Sequence, residues 1–139
     1  MRTIMFRGKS VMSTSELETM HFKGHDNGWF KGNLVMMGDT PYIVGDFIEV
    51  SEEYTINDFW VKVHPESVGQ YTGIKSVNNI DVFDKDIIEA TNIQCNKVIG
   101  QVYWNYGCWE VQGYHFKNLN NLRVIGNMYE NEYLLEGEK

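Results

Sequence analysis

Two histidines, His21 and His25, stand four residues apart. On a helix this spacing would place both imidazoles on one face, where they could share a metal ion such as Zn²⁺. Gly24 lies between them and disfavours a stable helix, and no carboxylate is placed as a clear third ligand. We therefore expect a solvated loop here and no metal site.

A second set of potential ligands comprises Cys95, Cys108 and His115. Thiolates and imidazoles bind zinc, but a structural site needs four ligands, and these spacings match no zinc pattern. Two cysteines in an aromatic-rich chain do not form a disulfide framework either. We expect both thiols to be reduced and structural, with Cys95 near a loop and Cys108 packed beside Trp109, and we expect no cofactor.

The densest run of carboxylates comprises Asp81, Asp84, Asp86 and Glu89. Such oxygens can bind a hard cation, but the run lacks the glycine-centred loop of an EF-hand. Strand alternation would place Asp84 and Asp86 on the same face of a strand. We expect these charges to protect a turn and a strand edge from pairing with another chain.

Motifs that mark the common enzyme classes are missing from the sequence. It contains no phosphate-binding loop, no G-x-S-x-G nucleophile motif and no H-E-x-x-H metalloprotease motif. A pair of carboxylates acting as acid and base stays open, because their spacing is spatial rather than sequential. No two carboxylates are singled out, so we predict no catalytic residues and a protein that is not an enzyme. A small hydrolase or metal enzyme is the third-ranked alternative.

Four aromatic side chains surround a predicted turn at residues 105–107: Trp104, Tyr106, Trp109 and Tyr114. Exposed rings on the loops of small β-structures bind peptides or stack on bases. The competing interpretation is that alternate rings point inward as core. We expect Trp104 and Trp109 to be mostly buried and Tyr106 and Tyr114 to be partly exposed. The candidate partner-binding residues are therefore Tyr106, Trp109 and Tyr114.

The balance of charge disfavours nucleic acid as a partner. The formal net charge is -7, and the 12 Lys and Arg residues are scattered. Nucleic-acid binders usually carry a basic face, because neutralising phosphates provides much of their affinity. A protein partner is the preferred expectation, and single-stranded nucleic acid bound on the aromatic loop is the alternative.

Strands, not helices, must position these rings. Short bursts of β-branched and aromatic residues, separated by Gly, Asn and Asp, are typical of many short strands. The longest β pattern covers residues 97–104. A turn at residues 105–107 is predicted to reverse the chain into a second strand at residues 108–111. Turns are also predicted at Asn27-Gly28, at Gly45-Asp46 as a hairpin, and at Asn78-Asn79.

Two short helices are predicted at positions with good N-caps. Residues 16–20 are compatible with one helical turn capped by Ser13 or Ser15, although a long loop fits equally well. Asn127 is expected to cap a short C-terminal helix. No apolar run approaches the ~20 residues that a membrane span needs, and the N-terminus has no signal-peptide pattern. We expect a soluble cytoplasmic protein.

The sequence as a whole resembles the YopX family, which comprises small proteins of phages and prophages, mainly of Gram-positive bacteria. The resemblance rests on four segments in the family's order: residues 2–9 with the pattern FRGK, residues 28–34 with W-x-x-G-x-L, residues 63–75, and residues 124–135. There are departures. Lys85 stands where a glycine is usual and adopts a positive φ less easily. Glu132 stands in place of a proline that would define the start of the last helix.

The resemblance implies a mainly β fold, either all-β or β-rich α+β, made of short antiparallel strands. It further implies an SH3-like small barrel in the C-terminal half, followed by the short helix. We divide the chain into residues 1–68, a β-rich region with a long early loop, and residues 69–139, the barrel region, and expect the two to share one core. The family brings no assigned activity and no catalytic residues.

These observations favour a non-enzymatic accessory module of the infected or lysogenic bacterial cell. It would bind a protein partner through loops of the barrel or through a strand edge. Unpaired edges and exposed rings are also compatible with a homo-oligomer.

Overall fold

The computed structural model describes residues 3–20 and 25–136. The chain divides into two compact units, Thr3–Gln70 and residues 71–136. Both are built from short antiparallel strands with little helix, which confirms the predicted β-rich fold. The boundary between residues 68 and 69 and the shared core stay predictions.

Among the described residues, the first unit contains six strands, the start of a seventh and one short α-helix. In chain order, these elements are β1 (Phe6–Lys9), α1 (Thr14–Thr19), β2 (Trp29–Met37), β3 (Thr40–Val44), β4 (Phe47–Val50), β5 (Thr55–Asn57), β6 (Trp60–Lys62), a 3-10 turn (Pro65–Ser67) and the start of β7 (Gly69–Lys75). Five strands pair antiparallel in the order β6-β3-β2-β1-β7, and β4 pairs with β5 separately.

The core of the first unit is apolar and includes one residue from the helix. Leu17 of α1 and Phe30 of β2 are fully buried together with Ile43, Val61 and Val63. The helix begins where the sequence indicates, because the Ser13 side chain accepts a hydrogen bond from the Glu16 amide. The cap thus defines where this short helix begins, and the burial of Leu17 packs the helix against the core of the first unit.

The second unit contains a five-stranded sheet. Its elements are β8 (Asp81–Phe83), β9 (Asp86–Thr91), β10 (Lys97–Asn105), β11 (Cys108–Val111), β12 (Tyr114–His115), a 3-10 turn (Phe116–Asn118), β13 (Asn120–Asn127), α2 (Met128–Asn131) and α3 (Tyr133–Glu136). The sheet has the order β12-β11-β10-β9-β13, with all neighbours antiparallel, and β8 pairs with β7. This order is open among the described residues, so the SH3-like barrel stays a prediction.

Residues of several strands form the core of the second unit. Val82, Ile88, Val102 and Val111 are fully buried there, and Phe116 from the 3-10 turn packs with them. The helices that follow β13 confirm the predicted short C-terminal helix. Asn127 is its cap, since the side chain accepts a hydrogen bond from the Glu130 amide at 2.9 Å.

Most of the predicted turns are confirmed by their backbone angles. Asn27 and Gly28 have φ values of 51° and 87°, and Asn79 has 65°. Left-handed residues of this kind allow a strand to reverse within two residues. Lys85 has a φ of 73°. It therefore adopts the positive φ that a lysine takes less easily than the glycine usual at this position.

The predicted hairpin at Gly45-Asp46 is wrong. The strand before it, β3, pairs with β2 and β6, whereas the strand after it, β4, pairs with β5. The Gly45 amide bonds to the Phe59 carbonyl at 2.9 Å, and Asp46 accepts from the Asp58 amide at 2.7 Å. The glycine and aspartate therefore carry the chain from one sheet into a two-stranded ribbon.

None of the helices in the described residues is long and apolar enough to cross a bilayer.

Candidate functional site

The predicted aromatic turn connects β10 and β11. Asn105 pairs with Cys108, so Tyr106 and Gly107 alone form the loop. Their φ values are 48° and 80°, and positive φ at both central residues is characteristic of a type I′ hairpin turn. The twist of such a turn matches the twist of the two strands, so the residues beside it are held in a defined register.

Two tryptophans face each other directly behind this turn. Trp104 and Trp109 are cross-strand partners, with ring centroids 5.0 Å apart and planes at 71°. Trp109 is half-buried and packs against the core of the second unit. Trp104 is 54% exposed, so the prediction that it is mostly buried is wrong. The next pair on this face, Val102 and Val111, is fully buried.

Tyr106 lies at the apex of the hairpin and is 98% exposed. Its ring and hydroxyl make no hydrogen bond or ring contact with any residue in the part of the chain that the structure describes. Trp104, Tyr106 and Trp109 together form what we call the aromatic tip. The tip holds two of the three predicted partner-binding residues, and it adds Trp104.

The third predicted residue, Tyr114, lies elsewhere on the sheet. It pairs with Val111, packs against the core, and its hydroxyl accepts a hydrogen bond from the Asn92 side chain at 3.3 Å. Asn92 follows β9, at the end of the sheet away from the turn at Tyr106. Tyr114 is half-buried, as expected, but it does not join the aromatic tip.

The opposite face of the hairpin carries a polar network that sequence reasoning missed. Glu110 is only 8% exposed. Its Oε1 accepts hydrogen bonds from the Tyr103 hydroxyl at 3.3 Å and from the Asn105 amide at 3.4 Å, and His115 Nδ1 lies 3.9 Å from Oε2. The signal was the alternation of β11, which puts Glu110 opposite to Trp109 and Val111. Because the network joins Glu110 of β11 to residues of β10 and β12, it ties these three strands together.

The potential ligand sets considered above are not brought together among the described residues. No three His, Cys, Asp or Glu side chains in residues 3–20 and 25–136 could hold one ion. Cys95 is exposed before β10 and Cys108 follows the turn after it, so the length of the strand, roughly 30 Å, separates them. His21 lies outside the described residues. His25 Nδ1 accepts a hydrogen bond from the Gly28 amide.

The prediction that the carboxylate run protects a strand edge is wrong for Asp86. Asp86 is fully buried at the start of β9, which is an interior strand between β10 and β13. Its Oδ2 accepts the Phe83 amide at 2.7 Å. Asp81 pairs with Lys75 at 2.6 Å. At least two members of the run are thus occupied with holding turns and strands of the second unit.

Comparison with protein families gives a match. A family model described as YopX protein matches residues 21–136, which is nearly the whole chain. A search of curated proteins found no match. The match covers the first unit from residue 21 onward, the described part of the second unit and all residues of the aromatic tip, and it leaves out β1 and α1.

Proposed function

The chain belongs to the YopX family, and from this premise we propose that it is a non-enzymatic accessory module that binds a protein partner through the aromatic tip. The family is associated with phages and prophages. The proposed place of action is therefore the cytoplasm of an infected or lysogenic bacterium.

The observation that carries this proposal is the conformation and exposure of Tyr106. A left-handed backbone costs most residues free energy, and glycine and asparagine tolerate it best. Tyr106 has a φ of 48° and is 98% exposed. Packing of its ring therefore does not offset the unfavourable free energy of its backbone conformation. It is the only aromatic residue among the positive-φ residues of the described chain. A residue type that is unfavourable for its backbone conformation, and that does not stabilise the fold, is typical of a position that contacts a binding partner.

The neighbouring rings make the tip a firm surface. Trp104 rests edge-on against Trp109, and Trp109 in turn packs on the core. Tryptophan and tyrosine are the residues most enriched among those that dominate binding energy at protein interfaces. Because these two tryptophan rings are packed before binding, a partner would not have to supply the free energy of ordering them.

A protein suits this surface better than a nucleic acid. Residues 102–109 contain no Lys or Arg, so nothing beside the rings would neutralise a phosphate backbone. The whole chain carries a net charge of -7, which repels polyanions at long range. Base stacking alone on the exposed rings is the remaining route for single-stranded nucleic acid.

The test is affinity capture from a bacterial host lysate with matched variants. The variant Trp104→Ala/Tyr106→Ala removes the exposed rings of the tip. The matched control is Tyr54→Ala/Trp60→Ala, which removes the same two residue types from exposed positions of the first unit, each 49% exposed. We expect the native protein and the control to enrich the same protein, and the tip variant to lose it.

Two results would overturn the proposal. One is that folded native protein repeatedly enriches nothing; the other is that the tip variant captures as well as the control. A titration with oligothymidylate at low salt covers the alternative. Salt-dependent quenching of tryptophan fluorescence that the tip variant loses would favour nucleic-acid binding instead.

A further inference from the structure

A second surface of the second unit carries lysines, although the formal net charge of the chain is -7. An open groove of about 440 Å³ lies between residues 74–77 and residues 116–122. One wall follows the end of β7, and the other follows the 3-10 turn and the start of β13, the last strand of the five-stranded sheet. None of its lining residues belongs to the aromatic tip.

The floor of the groove is apolar and well packed. Phe116, Leu119 and Leu122 belong to the core and are each 8–9% exposed. Val77 stands at the rim and is 56% exposed. The Val77 amide bonds to the Leu122 carbonyl at 2.8 Å, which ties the two walls together. A ligand's apolar side chain placed here would remove both Val77 and the floor from water.

The rim is basic in an acidic protein. Two lysines, Lys75 and Lys117, line the groove, and no carboxylate does, although the chain has 19 Asp and Glu residues against 12 Lys and Arg. Lys75 is paired with Asp81, and their hydrogen bond raises the pKa of Lys75. Lys117 is exposed and makes no ion pair within the described part of the chain.

The same wall presents hydrogen-bonding groups that are not used internally. Asn120 and Asn121 are exposed, and their side-chain amides bond to none of the described residues. Asn121 has a φ of 54° and lies within an irregularity of the β13–β9 pairing, between Asn120 and Arg123. Bulges of this kind redirect side chains and are frequent beside functional sites.

We propose that this groove binds a short extended peptide of a protein partner, in which an apolar side chain is flanked by carboxylates. The apolar residue occupies the floor, the carboxylates face Lys117 and Lys75, and the amides of Asn120 and Asn121 bond to the peptide backbone. Charge complementarity selects this occupant, because the groove is a basic site on a molecule whose net charge repels extended polyanions. The proposal does not depend on the aromatic tip.

The test uses a short fluorescein-labelled peptide in which one leucine is flanked on both sides by glutamates, titrated with the full chain and followed by anisotropy. Lys117→Glu reverses a charge that has no ion-pair partner among the described residues and should weaken binding by about fivefold. Lys97→Glu makes the same change on an exposed lysine outside the groove and should leave binding unchanged. Val77→Ala should weaken binding, whereas Ile93→Ala, at a residue that is 72% exposed, should not.

Three results would overturn the proposal: no saturable binding of the peptide, equal binding of a version with glutamine in place of glutamate, or equal effects of the two lysine variants. Oligothymidylate competing for the groove at the same concentration as the peptide would also overturn it. Trp104→Ala/Tyr106→Ala should bind the peptide normally, so failure of the tip and failure of the groove are distinguishable.

Discussion

Trp104 and Trp109 meet edge to face across the β10–β11 hairpin, with ring centroids 5.0 Å apart. Behind them on the same face, Val102 and Val111 are fully buried. Trp109 therefore closes the end of the core, and Trp104 packs on it from the solvent side. This pair makes the hairpin tip both an extension of the core and an accessible surface.

Replacing Trp104 with alanine should lower the free energy of unfolding by about 1 kcal/mol, because a favourable cross-strand ring pair is lost. The measurement is urea unfolding followed by far-UV circular dichroism. Tyr106→Ala is the control; its ring contacts nothing described, so the change should stay within about 0.5 kcal/mol. Equal losses in the two variants would show that the ring pair contributes no stability.

Tyr106→Asn should make the protein more stable. Asparagine is several-fold enriched over other residues in the left-handed region, and Asn-Gly is the preferred type I′ dipeptide, so a gain of roughly 0.5 kcal/mol is expected. The same variant should lose partner capture, since the exposed ring is gone. Gly107→Ala, at φ 80°, should instead destabilise the hairpin by about 1 kcal/mol. A less stable Tyr106→Asn protein would contradict the view that this tyrosine costs stability.

Asp86→Ala should lower the free energy of unfolding by about 2 kcal/mol. The buried Asp86 carboxylate accepts the Phe83 amide at 2.7 Å, and alanine would leave that amide without this acceptor. Asp86→Asn keeps an acceptor oxygen in place and should cost clearly less. Thermal unfolding followed by circular dichroism compares the two, and an asparagine variant as unstable as alanine would refute the hydrogen-bond explanation.

Gly32→Ala should destabilise the first unit by about 2 kcal/mol. A Cβ on Gly32 would collide with the backbone carbonyl of Val44 on the adjacent strand β3, and a backbone atom moves less readily than the tip of a side chain. Asn33→Ala, at the exposed next position of β2, is the control and should change stability by less than about 0.5 kcal/mol. Urea unfolding of the two variants is the measurement; equal midpoints would mean that the strands can separate at little cost.

The features predicted well from the sequence are those defined by a few consecutive residues. Asn27-Gly28 and Tyr106-Gly107 reverse the chain because their own backbone preferences allow positive φ. Asn127 caps the helix that begins one residue later. Family membership was predictable for a related reason, since it depends on short segments in a given order, and the YopX match over residues 21–136 confirms it.

The features that were missed depend on which strands become neighbours. Gly45-Asp46 has the composition of a hairpin turn, yet the next strand pairs elsewhere. Asp86 was expected at an edge, but β9 lies between β10 and β13 and buries it. No local sequence pattern shows which strands pair or which strand lies at an edge, because edge and interior strands can have the same alternation of residues.

The sequence by itself determined the β-rich class, most turns, the helix caps and the family, because each follows from local backbone preferences or from short ordered segments. Tertiary structure alone decided that Trp104 is exposed, that Glu110 is enclosed by partners from the two neighbouring strands, and that residues 74–77 and 116–122 form a groove. The physical reason is that burial and charge surroundings arise from contacts between residues far apart in the chain, and the pairing of strands chooses those contacts.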